Sequence, residues 1–418
     1  MSENPPANPF ESPVEAEDPE PLFEGDPDDP PVPVSSAGSE SEEDVSSALS
    51  ATRASLSSTD WTIETIVRQM RKGRIDLDPK FQRRAAWTDA TRSRFIESAV
   101  LAYPIPQLVL AELEDKPGHF FVIDGKQRLL ALRQFYAGQD DDADLGFRSL
   151  TLAGLTILKE LKGYDVKRLE AERTDLFDAF ENHTIRTVVI RNWVSEDFLF
   201  TLFLRLNTGS VPLSPQELRQ ALVPGMFVDF ADLRSGRSAG LQALLGNAAP
   251  DRRMVDAELL IRFLGFQIGS LTYKGNLKVF LDDTCRAFNE RWPVVQAQAE
   301  TWADEMDSAI AAARTIFGAE HACHKWSGTR WERSFNKAIF DVQVGALSTA
   351  SVRDAAIQKS EDIEAAFKAL CTYDAEFSNA ISTTTKSLAA TRTRFSRWYE
   401  VMSQVTGLPV PVPASIRL

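Results

Sequence analysis

The sequence predicts an α+β protein in which a disordered acidic tail, a mixed α/β domain and an all-α domain follow one another. Three observations support this class. Acidic residues and prolines crowd the N-terminus, residues 61–190 alternate between strand-like and helix-like apolar spacing, and from Ser195 onward the spacing is almost wholly helical. The predicted boundaries place the tail at 1–57, the mixed domain at 58–225 and the helical domain at 226–418.

Charge is distributed unevenly along the chain. The 418 residues carry a net charge of −14, yet residues 1–45 contain 14 acidic residues and no Lys or Arg. The remainder is therefore neutral, which leaves room for local basic patches. The tail has too little apolar surface to offset its ordering entropy, so disorder is expected there. It is either a solubilising leader or an acidic mimic that occupies a basic site on the body or on a partner.

The location predicted from composition is the cytoplasm. No stretch approaches the roughly 20 consecutive apolar residues of a membrane span, and the acidic, Pro-rich start is unlike a secretory signal. Three widely spaced cysteines, Cys285, Cys323 and Cys371, argue against a disulfide framework and fit a reducing compartment.

Apolar periodicity and breaker residues predict the elements of the mixed domain. A run such as Phe120–Ile123 is continuous in apolar character, as expected of a strand that is buried on both faces. Strands are expected at Leu108–Leu113, Phe120–Ile123, near Phe147–Leu152 and at Thr184–Ile190, and helices are expected to begin at the caps Asp60 and Thr88 and directly after Gly125.

The helical domain follows one of the clearest local signals in the chain. Ser214, Pro215 and Glu217 form a capping box with a proline at the first helical position. The further predicted helices are Glu196–Leu206, Asp256–Phe266, Leu277–Phe288, Val294–Phe317, Arg333–Val344 and Ile363–Tyr399.

The turn Asp124-Gly125-Lys126-Gln127-Arg128 is the first candidate site. A buried strand ends at Asp124, glycine lets the backbone approach a ligand closely, and the following helix start favours an anion. Lys126 and Arg128 add two cations, and Arg128 can form a fork to a phosphate. Asp124 is suited to hold Mg²⁺ or to orient a water. The alternative is an ordinary turn in which Arg128 is paired with a neighbour such as Glu97.

Two other clusters carry candidate chemistry. Phe81-Gln82-Arg83-Arg84, with Trp87 three residues on, suits contact with phosphates or bases, or else forms a solvated basic edge anchored by its aromatic residues. Asn207 lies where a predicted helix ends in a glycine loop, Asn207-Thr208-Gly209, which is either part of a site or a capped corner without a ligand.

Several common chemistries are not predicted. The chain has no glycine-rich phosphate loop of the G-x-x-x-x-G-K-[ST] type, and its four histidines suggest no nucleophilic triad. His321-Ala-Cys323-His324 resembles a metal box but lacks a second ligand pair at the usual spacing, so no metal site is predicted.

Taken together in order, the clusters resemble the bacterial family that carries the N-terminal domain of GmrSD-type restriction enzymes. That family shows an F-Q-R…W element, a P-I-P segment, a D-G-Q-Q-R-L motif and a later N-x-G…L-S-x-x-E-L-R element. The matching residues are Phe81-Gln82-Arg83…Trp87, Pro104-Ile105-Pro106, Asp124-Gly125-Lys126-Gln127-Arg128-Leu129, Asn207-Thr208-Gly209…Leu213-Ser214 and Glu217-Leu218-Arg219.

The resemblance implies a core similar to ParB and sulfiredoxin, whose Gly-x-x-Arg turn binds nucleotide phosphate. It also implies hydrolysis of a nucleoside triphosphate, such as GTP or ATP, coupled to cleavage of foreign DNA in prokaryotic anti-phage defence. The resemblance implies that the residues that hydrolyse the nucleotide are Asp124, Gln127 and Arg128. It implies that the residues that bind the nucleotide are Gly125, Lys126, Gln82, Arg83 and Asn207. Contact with nucleic acid is implied for Arg83 and Arg84.

Two departures from the family pattern bear on function. Lys126 replaces the commoner first Gln, a mild change that keeps a long hydrogen-bond donor. Longer relatives carry a C-terminal His-Asn-His nuclease module, and no Asp-His-centred motif follows residue 225, so the resemblance does not extend to autonomous DNA cutting. Two alternatives stay open: a non-catalytic, ParB-like nucleic-acid-binding module, and a regulatory partner of a separately encoded nuclease or toxin. A homo-oligomer is compatible with either.

Overall fold

The structure of the protein is a computed structural model. It describes Val34, Ser35, Glu40, and residues 55–75, 77, 87–137, 147–193, 198–199, 202, 214–268, 271–383 and 385–417.

A four-stranded mixed sheet forms the framework of the N-terminal half. Its spatial order is β1-β4-β2-β3, with β1 antiparallel to β4, β4 parallel to β2, and β2 antiparallel to β3. Leu110 of β2 pairs with Val122 on one side and Val189 on the other. The strands are β1 (Ser55–Thr62), β2 (Leu108–Glu112), β3 (Phe120–Asp124) and β4 (Thr184–Arg191).

Both faces of the central strands are covered. One face packs against five helices in a core that includes Phe95, Leu110 and Leu132, and the other packs against Leu199 and Leu218. Because every residue from Phe120 to Ile123 is buried, the predicted two-sided burial of this strand is confirmed. The helices are α1 (Ile63–Arg71), α2 (Asp89–Val100), α3 (Lys126–Phe135), α4 (Val166–Glu172) and α5 (Thr174–Asn182).

The first strand corrects the predicted start of the ordered chain. A strand, Ser55–Thr62, precedes the predicted first helix and pairs along its whole length with β4, so the structured chain is not limited to residues from Trp61 onward. Asp60 therefore lies in a strand, where its carboxylate accepts from Arg186 Nε at 2.6 Å, and it does not cap the helix. Thr62 is the cap, with its hydroxyl accepting from Thr65 N.

The predicted strand near Phe147–Leu152 is also wrong. Leu150 and Leu152 are buried and Phe147 is partly buried, but the backbone pairs with other partners: Leu150 N donates to Gln134 O and Leu152 N donates to Tyr164 O. The two buried leucines, Leu150 and Leu152, anchor a loop on the core. Burial of two leucines that are two residues apart is compatible with a loop as well as with a strand.

In the described part of the chain from Pro215 onward, the regular structure is helical apart from one hairpin. Its largest apolar cluster draws buried residues from Val223 to Ile416. The elements are α6 (Pro215–Leu222), α7 (Met226–Gly236), α8 (Ala239–Leu245), α9 (Val255–Phe263), α10 (Leu277–Phe317), β5 (His324–Trp326), β6 (Trp331–Phe335), α11 (Lys337–Ala346), α12 (Ala350–Gln358), α13 (Ser360–Tyr373), α14 (Ala375–Ala380) and α15 (Leu388–Thr406).

Three helix predictions in this half need correction. The two helices expected on either side of Pro293 are one 41-residue helix. Trp292, the residue before the proline, packs on Phe230 with ring centroids 4.9 Å apart, and this contact helps to hold the helix together at Pro293. The helix expected from Arg333 begins at Lys337, after a strand. The predicted Ile363–Tyr399 helix is broken into three, with side-chain caps at Asp374 and Ser387.

The predicted α+β class is confirmed. The domain boundary near residue 225 stays a prediction, and the predicted helix Glu196–Leu206 lies largely outside the described residues. Within the described ranges, no helix combines the length and the apolarity that crossing a membrane requires.

Candidate functional site

Gly125 makes the sharp turn between β3 and α3. Its φ of +96° is in the left-handed region, where glycine carries no steric penalty. A Cβ at this position would come within 2.3 Å of Leu108 Cδ2, so the neighbouring strand also requires a residue without a side chain. The residue is the N-cap of α3 and provides no side-chain cap. Leu129 N, which donates to Gly125 O at 3.0 Å, makes the first intrahelical bond, so the amides of residues 126–128 precede it.

The side chain of Arg128 forms hydrogen bonds with other groups of the protein. Its side chain is buried, and Nη2 donates to Asp124 Oδ2 at 2.8 Å. Nη1 donates to the carbonyl oxygens of Pro106 and Gln107 at 2.5 and 2.9 Å. The guanidinium therefore ties the end of the P-I-P segment to both ends of the turn. In this arrangement, Arg128 holds Asp124 in position.

Glu97, the neighbour named for the alternative interpretation, is engaged elsewhere. Its carboxylate accepts from the amides of Thr156, Ile157 and Leu158 at 3.0, 2.7 and 2.6 Å. Burial acts to raise the pKa of Glu97, but these donors outweigh it and hold the pKa below its ordinary value. The ion pair of Arg128 is with Asp124, four residues earlier in the same motif.

Lys126 connects the turn to the capping box of α6. Its Nζ lies 3.1 Å from Glu217 Oε1, and both side chains are about nine-tenths buried. Glu217 Oε2 accepts from Ser214 N at 2.7 Å, while Ser214 Oγ accepts from Glu217 N, which confirms the predicted capping box. One carboxylate thus caps α6 and holds the lysine of the turn, across 91 residues of sequence.

Gln127 connects the turn to Trp87. The backbone N–H of Trp87 donates to Gln127 Oε1 at 3.4 Å, and the Trp87 ring packs on Phe95 of α2 with centroids 5.7 Å apart. Trp87 is thus a core anchor, as one of the two interpretations of its cluster expected.

Described residues of all four motif elements therefore meet at the turn. The turn contacts the P-I-P segment through Arg128, the F-Q-R…W element through Gln127, and the L-S-x-x-E-L-R element through Lys126. The other predicted site residues, Gln82, Arg83, Arg84 and Asn207, lie outside the described residues. The sequence pattern indicates Glu217 as a capping residue and as part of the L-S-x-x-E-L-R element. Its separation from Lys126 left no local signal for the ion pair.

The metal chemistry of the described residues is sparse. They contain no group of three His, Cys, Asp or Glu side chains that could hold a metal ion. In the His321-Ala-Cys323-His324 segment, burial raises the pKa of the Cys323 thiol well above its usual range and lowers the pKa of His324. His324 Nδ1 lies 2.8 Å from Glu332 O. Asp124 is the one carboxylate of the turn suited to contact a cation that arrives with a phosphate ligand.

Comparison with known proteins bears on the same segment. Residues 63–224 match the family model described as GmrSD restriction endonuclease, N-terminal domain. Searches of curated proteins and of solved structures found no match. The matched range begins at α1, ends just after α6, and contains the turn together with Trp87 and Glu217. Residues 63–224 are therefore similar to the N-terminal domain of GmrSD-type restriction endonucleases.

Proposed function

We propose that this protein belongs to a restriction-type defence system and that its Asp124–Arg128 turn binds and hydrolyses a nucleoside triphosphate. The observation that carries the proposal is the turn itself. A left-handed glycine presents a helix start that has no side-chain cap, and two distant elements contact the turn, one through the backbone N–H of Trp87 and the other through the carboxylate of Glu217. The family match supports the restriction setting.

The physical case rests on where negative charge would be stabilised. The first amides of α3, with the positive end of the helix dipole, favour a phosphate group in front of the turn. Gly125 allows the phosphate to approach the backbone closely. Lys126 supplies a cation at the same helix start. It is held by Glu217, so a phosphate that binds here competes with that carboxylate for the ammonium group.

The contacts support the following proposed hydrolytic roles. Asp124, half-buried at the end of β3, would orient the attacking water or would hold a Mg²⁺ ion that neutralises the phosphates. Gln127 contributes a long polar side chain beside it. Arg128 keeps Asp124 in place through the 2.8 Å ion pair and is therefore a positioning residue in this state. Gln82, Arg83 and Asn207, which lie outside the described residues, are proposed as further nucleotide ligands because the family resemblance implies that role for them.

The test is phosphate release by the full-length protein with ATP and with GTP, in Mg²⁺, with and without double-stranded DNA. Asp124→Asn and Gln127→Ala should each lower the rate by roughly 100-fold or more, as expected when a group that handles the water is removed. The matched control is Arg168→Ala, which removes an exposed arginine from an i,i+4 pair with Glu172 and should leave the rate unchanged.

Arg128→Lys separates positioning from charge. Lysine keeps the positive charge but cannot contact Asp124 and two carbonyls at once, so we expect a large loss of rate with folding retained by circular dichroism. Release that is equal in all variants, or no release with either triphosphate with and without DNA, would sink the hydrolase proposal.

A non-catalytic DNA-binding module is the competing function, and it depends on Arg83 and Arg84. Binding of duplex DNA at a series of salt concentrations distinguishes the two. A steep salt dependence that weakens in Arg83→Ala, without phosphate release, would favour the competing function.

A further inference from the structure

The acidic N-terminal segment contacts the folded body at two described points. Ser35 N donates to Phe335 O at 2.8 Å, and Val34 forms a bridge with the same residue at the end of β6. Glu40 then inserts its side chain into the protein, where it is fully shielded from solvent. An acid-rich tail expected to be solvated therefore buries one of its carboxylates.

The buried carboxylate is bound to Arg219 of α6. Arg219 Nη2 lies 2.5 Å from Glu40 Oε1, Nε donates to Asp282 Oδ1 at 2.7 Å, and Nη1 donates to Gln216 Oε1 at 2.6 Å. Burial by itself would lower the pKa of Arg219, but the carboxylates of Glu40 and Asp282 outweigh it and hold the pKa above its ordinary value. The tail, α6 and α10 thus meet at one guanidinium group.

The site that receives Glu40 is electropositive without it. Among the described residues, the ionic groups around Arg219 form a buried network to which the body contributes five cations and three carboxylates, and Glu40 adds a fourth carboxylate. In a medium of low polarisability, uncompensated buried charge is unfavourable, so the network favours one more anion. The network consists of Arg219, Lys278, Asp282, Glu258, Arg262, Lys337, Asp341 and Arg394.

The contact is nonetheless incomplete. Glu40 Oε2 is buried and accepts no hydrogen bond from a described residue. Burial raises the pKa of Glu40 against the opposing effect of Arg219, and the nearby carboxylates of Glu258 and Asp282 act in the same direction as burial. A ligand that fits its site imperfectly is more easily released than one whose polar atoms are all paired.

The same short helix connects Glu40 to the candidate nucleotide site. Glu217 holds Lys126 of the turn, and Arg219, two residues later on α6, holds Glu40. Leu218, between them, packs on the face of the sheet that also contacts Leu199. A shift of α6 would therefore change the Lys126–Glu217 ion pair.

We propose that the acidic segment is a tethered ligand whose Glu40 carboxylate locks α6 in the position where Glu217 holds Lys126. When Glu40 leaves, α6 loosens and Lys126 becomes available to an anion at the turn. This inference deepens the proposed nucleotide site and rests on it for its biological purpose, but the lock itself is a property of the unliganded protein.

The lock is tested by the chemical reactivity of Lys126, without any nucleotide. The full-length protein is acylated with an N-hydroxysuccinimide acetate ester, and the rate at each lysine is measured by mass spectrometry. Glu40→Gln removes the charge at nearly constant volume and should speed acylation of Lys126 about tenfold, the effect expected when one charge-assisted hydrogen bond is lost. Exposed Lys167 is the internal reference and should react equally in all variants.

Two further variants make the result decisive. Glu217→Gln releases Lys126 directly and should speed its acylation at least as much. Glu20→Gln removes another carboxylate from the same segment and should match the wild type. Rapid labelling in Glu217→Gln with wild-type labelling in Glu40→Gln would overturn the lock, as would equal effects of Glu20→Gln and Glu40→Gln. A thermal melt by circular dichroism confirms that each variant is folded at the labelling temperature.

The outcome is distinguishable from that of the proposed hydrolase. Faster labelling of Lys126 in Glu40→Gln, together with no phosphate release by any variant, would support the lock and refute the hydrolase.

Discussion

Replacement of Gly125 by alanine tests whether the turn is shaped by close approach as well as by its backbone conformation. Two costs are expected. The left-handed conformation, with φ at +96°, costs a residue with a Cβ about 1–2 kcal/mol. The new methyl group would also meet Leu108 Cδ2 at 2.3 Å, inside a core where Leu108 has no exposed surface. Overpacking of this kind adds about 1–3 kcal/mol.

Gly118 is the matched control for this substitution. It has φ at +80°, close to that of Gly125, but a Cβ built on it would have no atom within 4 Å. Gly118→Ala should therefore carry only the backbone cost of about 1–2 kcal/mol. Gly125→Ala should cost about 2–5 kcal/mol in all, and the difference between the two variants measures the clash.

The assay is hydrogen exchange of peptides from residues 120–135 at increasing urea, which gives the free energy of opening of this region separately from the helical half. A third measurement places Gly125→Ala in a Leu108→Ala background, where the clashing atom is absent. The extra cost over Gly118→Ala should then disappear. Equal destabilisation by Gly125→Ala and Gly118→Ala, or an undiminished cost without Leu108, would refute the packing argument.

Two further predictions concern buried ionisable groups. Glu97→Gln replaces a carboxylate oxygen with a donor that faces the amides of residues 156–158, and should lower the free energy of unfolding by about 2 kcal/mol, measured by urea denaturation. Burial lowers the pKa of His324, so its neutral form is favoured in the folded state. The stability it contributes is present above the unfolded pKa of about 6.5 and is lost as the pH falls through the lower folded value. Melting curves at pH 7.5 and 5.5 should therefore show a smaller loss of stability for His324→Gln than for the wild type, and an identical loss in both would contradict the assignment.

Local patterns predicted the strands and caps that depend on near neighbours. The capping box at Ser214 and the helix cap at Thr88 were predicted correctly, since each is made by residues three apart in the sequence. The hairpin before Asn336 was not predicted. Its Trp331 ring packs on Phe317 and Phe367, with centroids 6.4 and 6.1 Å away, and these contacts with α10 and α13 leave no mark on the local pattern.

In the candidate site, too, some features follow from the local sequence and others depend on tertiary contacts. A buried strand, a glycine and a helix start are adjacent in sequence, so the turn at Asp124 to Arg128 could be located without a structure. The carbonyls that Arg128 contacts, the carboxylate that holds Lys126, and the burial of Glu40 against Arg219 depend on separations of 21 to 179 residues. Tertiary packing alone decides such contacts, because an ion pair depends on which elements the core brings together.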